Sequence, residues 1–467
     1  MAKDREGAAV AGAAKGTLRN TGVSLCLGVC ALMALSFLLG AAVIFYRWPP
    51  SNVLGDAFSG GLQWWQRGRA TAAAPPPPPA VRGVIDDPAR TFDGFTLYAY
   101  ASLDGQNTHV YLMNMHRDVV HQWDASFSRV WPLPPHVPGL VSDDRVYVIG
   151  CRLFPNGDLL VVFHGMDVAA CGFGLARLDK DSNLLWKYAG HVHHDVDVGE
   201  EGTIYAVEHE FTQTTPDRLE FIPPGMVDRL VLLSPDGTLK KTVPILEALR
   251  DSPYSVLLDS LRRGGPFYAS RSSMDGPPVS EDDLRKDALH VNSIHLLTPE
   301  LASRFPGFKA GQVLISLRHL DALAVMDVET GAVVWAARGP WRAQHDPQFL
   351  DNGRLLIFDN RGLPTGSRVL EYDPQSQAIP WSYSGENSGP FYTADRGMCQ
   401  RLPNGNTLIV DSEGGELREV TRDKDVVWSF LSPKDATSAT GQRFISTARR
   451  YSPGQLHFLK ENERARP

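Results

Sequence analysis

The sequence predicts an all-β fold, a six-bladed β-propeller that follows a single N-terminal transmembrane helix. Two repeat units carry this prediction: a glycine turn followed by an apolar run, and a hairpin that usually ends in tryptophan. The 42 glycines and 34 prolines among 467 residues also suit many short strands joined by turns. With 43% hydrophobic and 21% charged residues, the composition is that of a globular protein rather than a disordered one.

The first repeat unit is a turn glycine, often after Asn or Asp, that precedes a run rich in β-branched and aliphatic residues. Glycine supplies the positive φ that tight turns need, so each run is predicted to be a buried strand lining the propeller channel. There are six copies, at residues 95–100, 158–163, 203–208, 312–317, 354–359 and 406–411.

The second repeat unit is a hairpin that alternates with the first and also occurs six times. Its last strand carries a tryptophan in five copies, and these side chains are expected to fill the wedge between neighbouring blades. A β-sandwich, the alternative architecture, gives no reason for a sixfold recurrence of both units. The five residues are Trp123, Trp186, Trp335, Trp381 and Trp428.

Two further segments complete the predicted propeller of residues 91–460. Helical spacing of leucines begins at residue 244 and predicts a helical insertion at about 244–289. The segment 443–459 is expected to return and close the ring beside the first blade.

Residues 23–46 contain no charged side chain and are long enough to cross a bilayer as one helix. Four cationic residues precede this run within residues 1–22, whereas only Arg47 follows it closely, which predicts a cytoplasmic N-terminus. Residues 47–90, with five consecutive prolines, are predicted to tether the propeller on the periplasmic side of the inner membrane. A cleaved signal peptide is the alternative, although its apolar region would be unusually long.

Charge and cysteine content exclude several classes of protein. A formal net charge of −7 disfavours nucleic-acid binding, which needs a basic surface. Five cysteines are too few for a disulfide scaffold. Two of them lie in the apolar N-terminal run, so at most one intrachain bridge is possible among Cys151, Cys171 and Cys399.

Histidines recur at matching distances from the turn glycines. His194 and His345 each stand eight residues before one, and His290 opens the same unit where the inserted segment 297–310 displaces the count. At a channel mouth these three are expected to converge on one small ligand. His191, His193 and His319 gain no support from this count and are read as structural. Seven residues after the glycines stand His164, His209, Arg318, Asn360 and Ser412.

A three-histidine cluster is compatible with two chemistries. One is a metal site, since three imidazoles with an open position suit catalytic zinc. The other handles an oxyanion, with one histidine as nucleophile and an arginine clamping the charge. Arg318 favours the second, because a guanidinium repels a cation but matches sulfate or phosphate oxygens.

The chain resembles the bacterial arylsulfate sulfotransferases in several segments, including HHDVDV at 193–198, LHVNSIHLL at 289–297 and AQHDPQFLDNGRLLIFDN at 343–360. This family consists of six-bladed periplasmic propellers that move a sulfuryl group from a phenolic sulfate ester to another phenol. They use no nucleotide sulfate donor and proceed through a sulfated histidine.

The resemblance implies a role for each matching position. His345 matches the nucleophile, His194 and His290 match the anion-binding histidines, Arg318 matches the clamping arginine, and Asn292 matches the substrate-binding asparagine. No cofactor is implied, and the implied partners are an aryl sulfate donor and a phenolic acceptor. A non-catalytic propeller scaffold of the cell envelope and a histidine-ligated metal-dependent enzyme remain the alternatives.

Overall fold

In the computed structural model the chain divides into two compact units, Met1–Pro76 and Pro77–Pro467. The structure describes Ser36 and residues 85–459, except 102–107, 138–140, 167–170, 213–224, 262–286, 365 and 435–440. The cytoplasmic segment, the transmembrane helix and most of the tether predicted for residues 1–90 lie outside the described residues. Within the described part, no helix combines the length and apolar character needed to cross a membrane.

The second unit is a β-propeller of six four-stranded antiparallel sheets, which confirms the all-β, six-bladed part of the prediction and excludes the β-sandwich alternative. Five blades are built from consecutive strands, and blade 1 takes its first strand from the C-terminal segment. Blade 1 contains β1 (Phe95–Tyr100), β2 (His109–Met113) and β3 (Val119–Asp124), preceded in the sheet by β24 (Ile445–Tyr451); blade 2, β4 (Val146–Leu153), β5 (Leu159–Gly165), β6 (Gly172–Leu178) and β7 (Leu184–Tyr188); blade 3, β8 (Val192–Val198), β9 (Ile204–Thr212), β10 (Gly225–Leu233) and β11 (Leu239–Pro244); blade 4, β12 (Val291–Leu296), β13 (Val313–Leu317), β14 (Ala322–Asp327) and β15 (Ala332–Arg338); blade 5, β16 (His345–Phe349), β17 (Leu355–Leu363), β18 (Gly366–Tyr372) and β19 (Trp381–Tyr383); blade 6, β20 (Met398–Arg401), β21 (Thr407–Asp411), β22 (Glu416–Val420) and β23 (Val426–Leu431).

Hydrogen bonds join the first strands of all six blades into a closed ring. Side chains link β4 to β8, β8 to β12, β12 to β16, β16 to β20, β20 to β24 and β24 back to β4. The first strand is therefore the innermost one in each blade. The prediction that the run after the turn glycine lines the channel was wrong, because β1, β5, β9, β13, β17 and β21 are second strands.

The innermost strands carry polar residues because their backbones are bulged. The pairing of β8 with β9 shifts between His193 and Val196, and β16 shifts against β17 between His345 and Gln348. Within these bulges His194 has φ 58° and Asp346 has φ 46°. A bulge redirects side chains that regular alternation would place in the sheet core, so these polar groups turn toward the channel.

The ring is closed by β24, which pairs with β1 from Phe95 opposite Tyr451 to Tyr100 opposite Ile445. The predicted return of the C-terminal segment beside the first blade is confirmed. The tryptophans lie on outermost strands, and four of them donate to a carbonyl of another blade, as predicted for wedge-filling side chains. The acceptors are Gly157 for Trp123, Pro235 for Trp186, Arg422 for Trp381 and Met115 for Trp428.

Helices in the described residues are short and lie between strands. The predicted insertion contains α2 and a 3-10 helix, and its residues 262–286 lie outside the described part. The α-helices are α1 (Phe127–Val130), α2 (Ile245–Arg250) and α3 (Pro299–Ala302), and the 3-10 helices span Asp143–Arg145, Glu200–Gly202, Ser255–Leu261, Arg318–Leu320 and Pro453–Gln455.

Candidate functional site

A cavity lies where the innermost strands of all six blades meet, and it encloses about 390 Å³ including its open mouth. Four lining residues are those that stand eight positions before a turn glycine: Ile149, His194, His345 and Gly397. Blade 4 contributes Asn292 and blade 1 contributes Ser446. The repeat count therefore identified one wall residue in each of four blades.

His345 begins β16 and is buried at the cavity wall. Its Nδ1 lies 2.7 Å from Asn360 Oδ1 and 3.0 Å from the Ala343 carbonyl oxygen. Its Nε2 is buried and has no hydrogen-bond partner among the described residues. The ring is thus anchored through one nitrogen and leaves the other available.

The Asn360 amide determines which nitrogen of His345 carries the proton. Asn360 Nδ2 donates to the carbonyl oxygens of Thr393 and Arg396, so its Oδ1 must face His345. Both partners of His345 Nδ1 are then acceptors, and Nδ1 must be the protonated atom. A neutral His345 therefore presents a lone pair at Nε2.

The surroundings of His345 also keep the ring neutral. Burial, followed by the positive charge of Arg318, lowers the pKa of His345 to about 3, against the opposing hydrogen bond to Asn360. At neutral pH this imidazole is uncharged, which is the form that a nucleophile requires.

His194 lies in the β8 bulge, and its ring centre is 4.9 Å from that of His290 and 5.5 Å from that of His164. Burial and then the neighbouring imidazoles, His290 first, lower its pKa well below the usual value. His194 is therefore neutral in these surroundings. A positive charge on this ring would have to accompany a bound anion.

His290 precedes β12, and its Nδ1 lies 2.6 Å from Asp287 Oδ2. The same carboxylate accepts the His290 backbone N–H through Oδ1 at 3.0 Å. Although burial opposes ionisation, the nearby His290 holds the pKa of Asp287 well below its ordinary value. An ionised carboxylate therefore directly backs this imidazole, and His290 Nδ1 carries the proton of the hydrogen bond.

Arg318 follows β13 in a 3-10 helix and is buried. Its Nη2 donates to Asp395 Oδ1 at 2.7 Å, and Arg361 Nη2 reaches the same oxygen at 2.8 Å. Asn292 donates through Nδ2 to the Gln344 carbonyl, the residue before His345, at 2.8 Å. Asn292 thus connects blade 4 to the segment that carries the nucleophile candidate, whereas Arg318 pairs with the segment that precedes β20.

The three histidines are not equivalent in strand pairing, which corrects the expectation of one shared register. The Arg318 N–H donates to the His290 carbonyl, as the His209 N–H donates to the His191 carbonyl. By pairing, His290 therefore corresponds to His191 rather than to His194. Backbone bulges, and not a common register, bring the rings of His194 and His290 together.

Sequence reasoning assigned His193 and His319 no part in the site, yet each touches a candidate histidine. His193 Nδ1 lies 2.7 Å from His194 Nδ1, and the His319 ring centre lies 4.7 Å from that of His290. Their adjacency to candidate residues in the chain, at 193–194 and 318–319, was the available signal. His191 instead packs on Phe211 and reaches the Gly172 carbonyl, consistent with a structural role.

Arg396 is a cavity residue that the sequence did not reveal. Its guanidinium lies over the rings of Tyr147 and Phe444 at 4.8 and 4.5 Å. It also donates to the Tyr147 hydroxyl group. The two rings hold this cation in place at the cavity wall. Among the described residues, no carboxylate lies within salt-bridge distance of it.

Two groups of side chains in the described residues place three possible metal ligands close together: His193, His209 and Asp228, and Asp287, His290 and His319. In each group a ring nitrogen lies at hydrogen-bond distance from the carboxylate, 3.1 Å in the first and 2.6 Å in the second. An imidazole N–H donor accounts for both contacts. We therefore describe them as hydrogen-bonded clusters.

The described cysteines, Cys151, Cys171 and Cys399, are free thiols. The cavity walls therefore depend on strand pairing and hydrogen bonds, and the one disulfide that the cysteine count allowed is not formed among these residues.

Solved structures with a similar fold share little sequence with this chain. A protein of unknown function from Bacteroides caccae is 12% identical with a TM-score of 0.45, covering 77% of this chain and 99% of its own. A streptogramin B lyase is 10% identical with a TM-score of 0.39, covering 80% and 93%. Hydrazine synthase from Kuenenia stuttgartiensis is 10% identical with a TM-score of 0.37, covering 68% and 72%. Similarities at this level carry no information on activity.

No curated protein matches the chain. The family model for arylsulfotransferase (ASST) matches residues 150–432. The match runs through blades 2 to 6, contains His194, His290, Arg318 and His345, and covers more than half of the sequence. The chain therefore belongs to the arylsulfotransferase (ASST) family.

Proposed function

We propose that this protein transfers a sulfuryl group from an aryl sulfate ester to a phenolic acceptor without a nucleotide sulfate donor. The transfer proceeds in two steps through a sulfated His345. Family membership supports arylsulfotransferase activity, and the geometry around His345 supports the covalent route.

The observation that carries the proposal is the state of His345 Nε2. This atom is buried at the cavity wall and has no hydrogen-bond partner among the described residues, while Nδ1 is held by Asn360. A buried acceptor without a partner is costly for a folded protein. Such an atom beside a ligand cavity is explained if a ligand atom meets it during function.

In the first step Nε2 of neutral His345 attacks sulfur, and the bond between sulfur and the phenolic oxygen breaks. In the second step the oxygen of the acceptor phenol attacks the same sulfur and frees His345. A sulfuryl group resists attack because its oxygens carry negative charge. We assign Arg318, His290 and His194 to stabilise that charge as the bond lengthens. Asn292 holds the segment before His345 through its hydrogen bond to the Gln344 carbonyl.

A donor assay separates this proposal from the two alternatives. The purified protein is incubated with 4-nitrophenyl sulfate, with and without phenol, and with and without a chelator. Acceptor-dependent release of nitrophenol that a chelator does not change supports sulfotransfer. Loss of activity with the chelator would support a metal-dependent enzyme, and no turnover under any condition would support a non-catalytic scaffold.

We also propose that residues 23–46 anchor the protein in the inner membrane and place the propeller on the periplasmic side. The uncharged run and the distribution of cationic residues around it support this arrangement. The protein should fractionate with membranes, and cleavage within residues 70–85 should release an active soluble propeller. Recovery of the intact protein in the soluble fraction would contradict the anchor.

A further inference from the structure

We infer that Asp228 and His193 form a buried relay that fixes the tautomer of His194 and lets it exchange a proton with the phenolic oxygen of the substrate. The inference rests on the proposed function. It gives His194 an acid–base task in addition to its electrostatic one, and makes Asp228 and His193 positioning residues.

The relay is a continuous chain of contacts from β10 to the cavity. Asp228 Oδ1 lies 3.1 Å from His193 Nε2, and His193 Nδ1 lies 2.7 Å from His194 Nδ1. Asp228 Oδ2 accepts the Val291 N–H at 3.0 Å, which ties the carboxylate to the next blade. Asp228 and His193 are 1% and 0% exposed. Water therefore does not compete for these contacts.

The hydrogen-bond contacts of the relay permit one arrangement of protons. An ionised Asp228 only accepts, so His193 Nε2 must carry the proton of that hydrogen bond. A neutral His193 then has a lone pair at Nδ1, and the short contact there requires the proton of His194 Nδ1. The lone pair of neutral His194 is left at Nε2, the nitrogen not engaged in the relay.

This arrangement requires a charged Asp228 and a neutral His193, and the surroundings of both groups shift their pKa values in that direction. Hydrogen bonds from His193 and His209 keep the pKa of Asp228 lowered in spite of burial and of the Asp287 charge. Burial and then His209 lower the pKa of His193 to about 4. Asp228 is therefore charged and His193 neutral at physiological pH.

When the anion binds, a proton on His194 Nε2 converts this atom from acceptor to donor. The positive charge is then stabilised through His193 toward Asp228, by the same principle that orients a catalytic imidazole with a buried carboxylate. Before the anion arrives, burial and then the imidazoles that face His194 from the surrounding elements lower its pKa; they are His290, His193, His164 and His345.

The proton that His194 gives up in the first step is regained in the second. In the first, the donor anion and protonated His194 react with neutral His345 to give sulfated His345, a neutral phenol and neutral His194. In the second, His194 Nε2 takes the proton of the acceptor phenol as its oxygen bonds to sulfur. The product sulfate ester leaves, and His345 is neutral again.

His209 should affect proton binding at His194 in the direction opposite to Asp228. Its Nδ1 lies 3.1 Å from the same Asp228 oxygen, and its ring stacks on His193 with centres 3.6 Å apart. Although burial acts against it, hydrogen bonding to Asp228 raises the pKa of His209 well above the usual value. Its positive charge offsets part of the Asp228 charge. Loss of Asp228 should therefore weaken proton binding at His194, whereas loss of His209 should strengthen it.

The first experiment needs no turnover and uses inorganic sulfate as the probe. Sulfate binding to the full chain is measured by titration calorimetry at pH 8 in buffers of different ionisation enthalpy, which reports proton uptake. We expect an uptake of about one proton per sulfate, and much less in Asp228→Asn. Sulfate binding without proton uptake in the unaltered protein, or equal uptake in Asp228→Asn, would overturn the relay.

The second experiment uses donors with different leaving groups. Asp228→Asn should slow the first step about a hundredfold for phenyl sulfate but only a few-fold for 4-nitrophenyl sulfate, because the more acidic nitrophenol needs little protonation. His209→Gln, the matched variant at the same carboxylate, should not show this dependence. An equal loss with both donors in a folded Asp228→Asn protein would assign Asp228 a structural role only.

The two proposals fail in distinguishable ways. If neither aryl sulfate is turned over but sulfate binding takes up a proton through Asp228, the relay stands and the sulfotransferase proposal does not. If both donors react and proton uptake is absent, sulfotransfer stands and the relay does not.

Discussion

His290 and His345 lie in neighbouring blades, but groups of opposite character support them. A carboxylate, Asp287, lies 2.6 Å from Nδ1 of His290, whereas a neutral amide, Asn360, lies 2.7 Å from Nδ1 of His345. The carboxylate only accepts a hydrogen bond from the His290 ring, whereas burial and then the nearby Arg318 keep the His345 ring uncharged in spite of the Asn360 amide. The comparison teaches that two imidazoles anchored through the same ring nitrogen can differ in the charge of the group behind them, and the proposed roles of anion binding for His290 and attack for His345 follow this difference.

The largest effect is expected when the neutral ring is removed. His345→Asn keeps some hydrogen-bonding capacity but has no nucleophile, so turnover should fall by about four orders of magnitude or more. The donor alone should release up to one equivalent of phenol from the unaltered protein and none from the variant. Intact mass at neutral or alkaline pH should show a sulfated adduct only in the unaltered protein, because the N–S bond is acid-labile.

The control for this prediction is His194→Asn, in which the adduct should still form but about a hundredfold more slowly. A burst that survives in His345→Asn and is lost in His194→Asn would exchange the two roles. An adduct on neither histidine would indicate direct transfer between bound donor and acceptor.

The second largest effect is expected at Arg318, whose positive charge, after burial, lowers the pKa of His345. Arg318→Ala should lower kcat by about two to three orders of magnitude, because one preorganised donor to the sulfuryl oxygens is lost. Arg318→Lys should recover only part of the rate, since an ammonium group cannot make two parallel hydrogen bonds. Thermal unfolding should be measured in parallel, because Arg318 also pairs with Asp395. Near-normal kcat in a folded Arg318→Ala protein would exclude the clamp.

A smaller effect is expected when the carboxylate behind His290 is neutralised. Asp287→Asn weakens the charged hydrogen bond that anchors the His290 ring, so the affinity for inorganic sulfate should weaken about tenfold. The matched control is Asp251→Asn, which changes the net charge equally at a side chain that is 66% exposed. If both variants bind sulfate equally well, Asp287 does not support an anion-binding imidazole.

The smallest effect concerns pH. Because the pKa of His345 is lowered to about 3, its neutral form persists as the pH falls and is lost only near that value. The rate of the phenol burst at saturating donor should therefore not decrease between pH 8 and pH 5. A decrease with a midpoint near the ordinary histidine value of about 6.5 would show that His345 titrates normally.

Repetition is what made the fold accessible to sequence reasoning. The glycine turns, the tryptophan hairpins and the returning C-terminal strand are each encoded in local residue patterns. The structure contains all three, except that Gly94 before β1 does not have the positive φ of the other five turn glycines. The innermost strands escaped notice because bulges and polar residues interrupt their alternation, as in the HDPQF sequence of β16. Buried second strands such as LLIFDN looked more like channel strands than the true ones did.

The candidate site was only partly accessible for the same reason. Counting from the turn glycines brought His194 and His345 to one cavity, because the hairpin between the first two strands has a nearly constant length. Asp228 and Asp287 could not be found this way. Asp228 lies on a third strand and Asp287 precedes a first strand, so a count from the turn glycines along the first strands reaches neither side chain.

The pairing of β24 with β1 has a consequence for the order in which the protein is made. A ribosome delivers three strands of blade 1 first and the fourth only after all the other blades. Until residues 445–451 emerge, blade 1 lacks its innermost strand, the ring is open, and Ser446 is missing from the cavity wall. The binding cavity is therefore assembled last, so a chain released early contains most of the propeller but has no closed site.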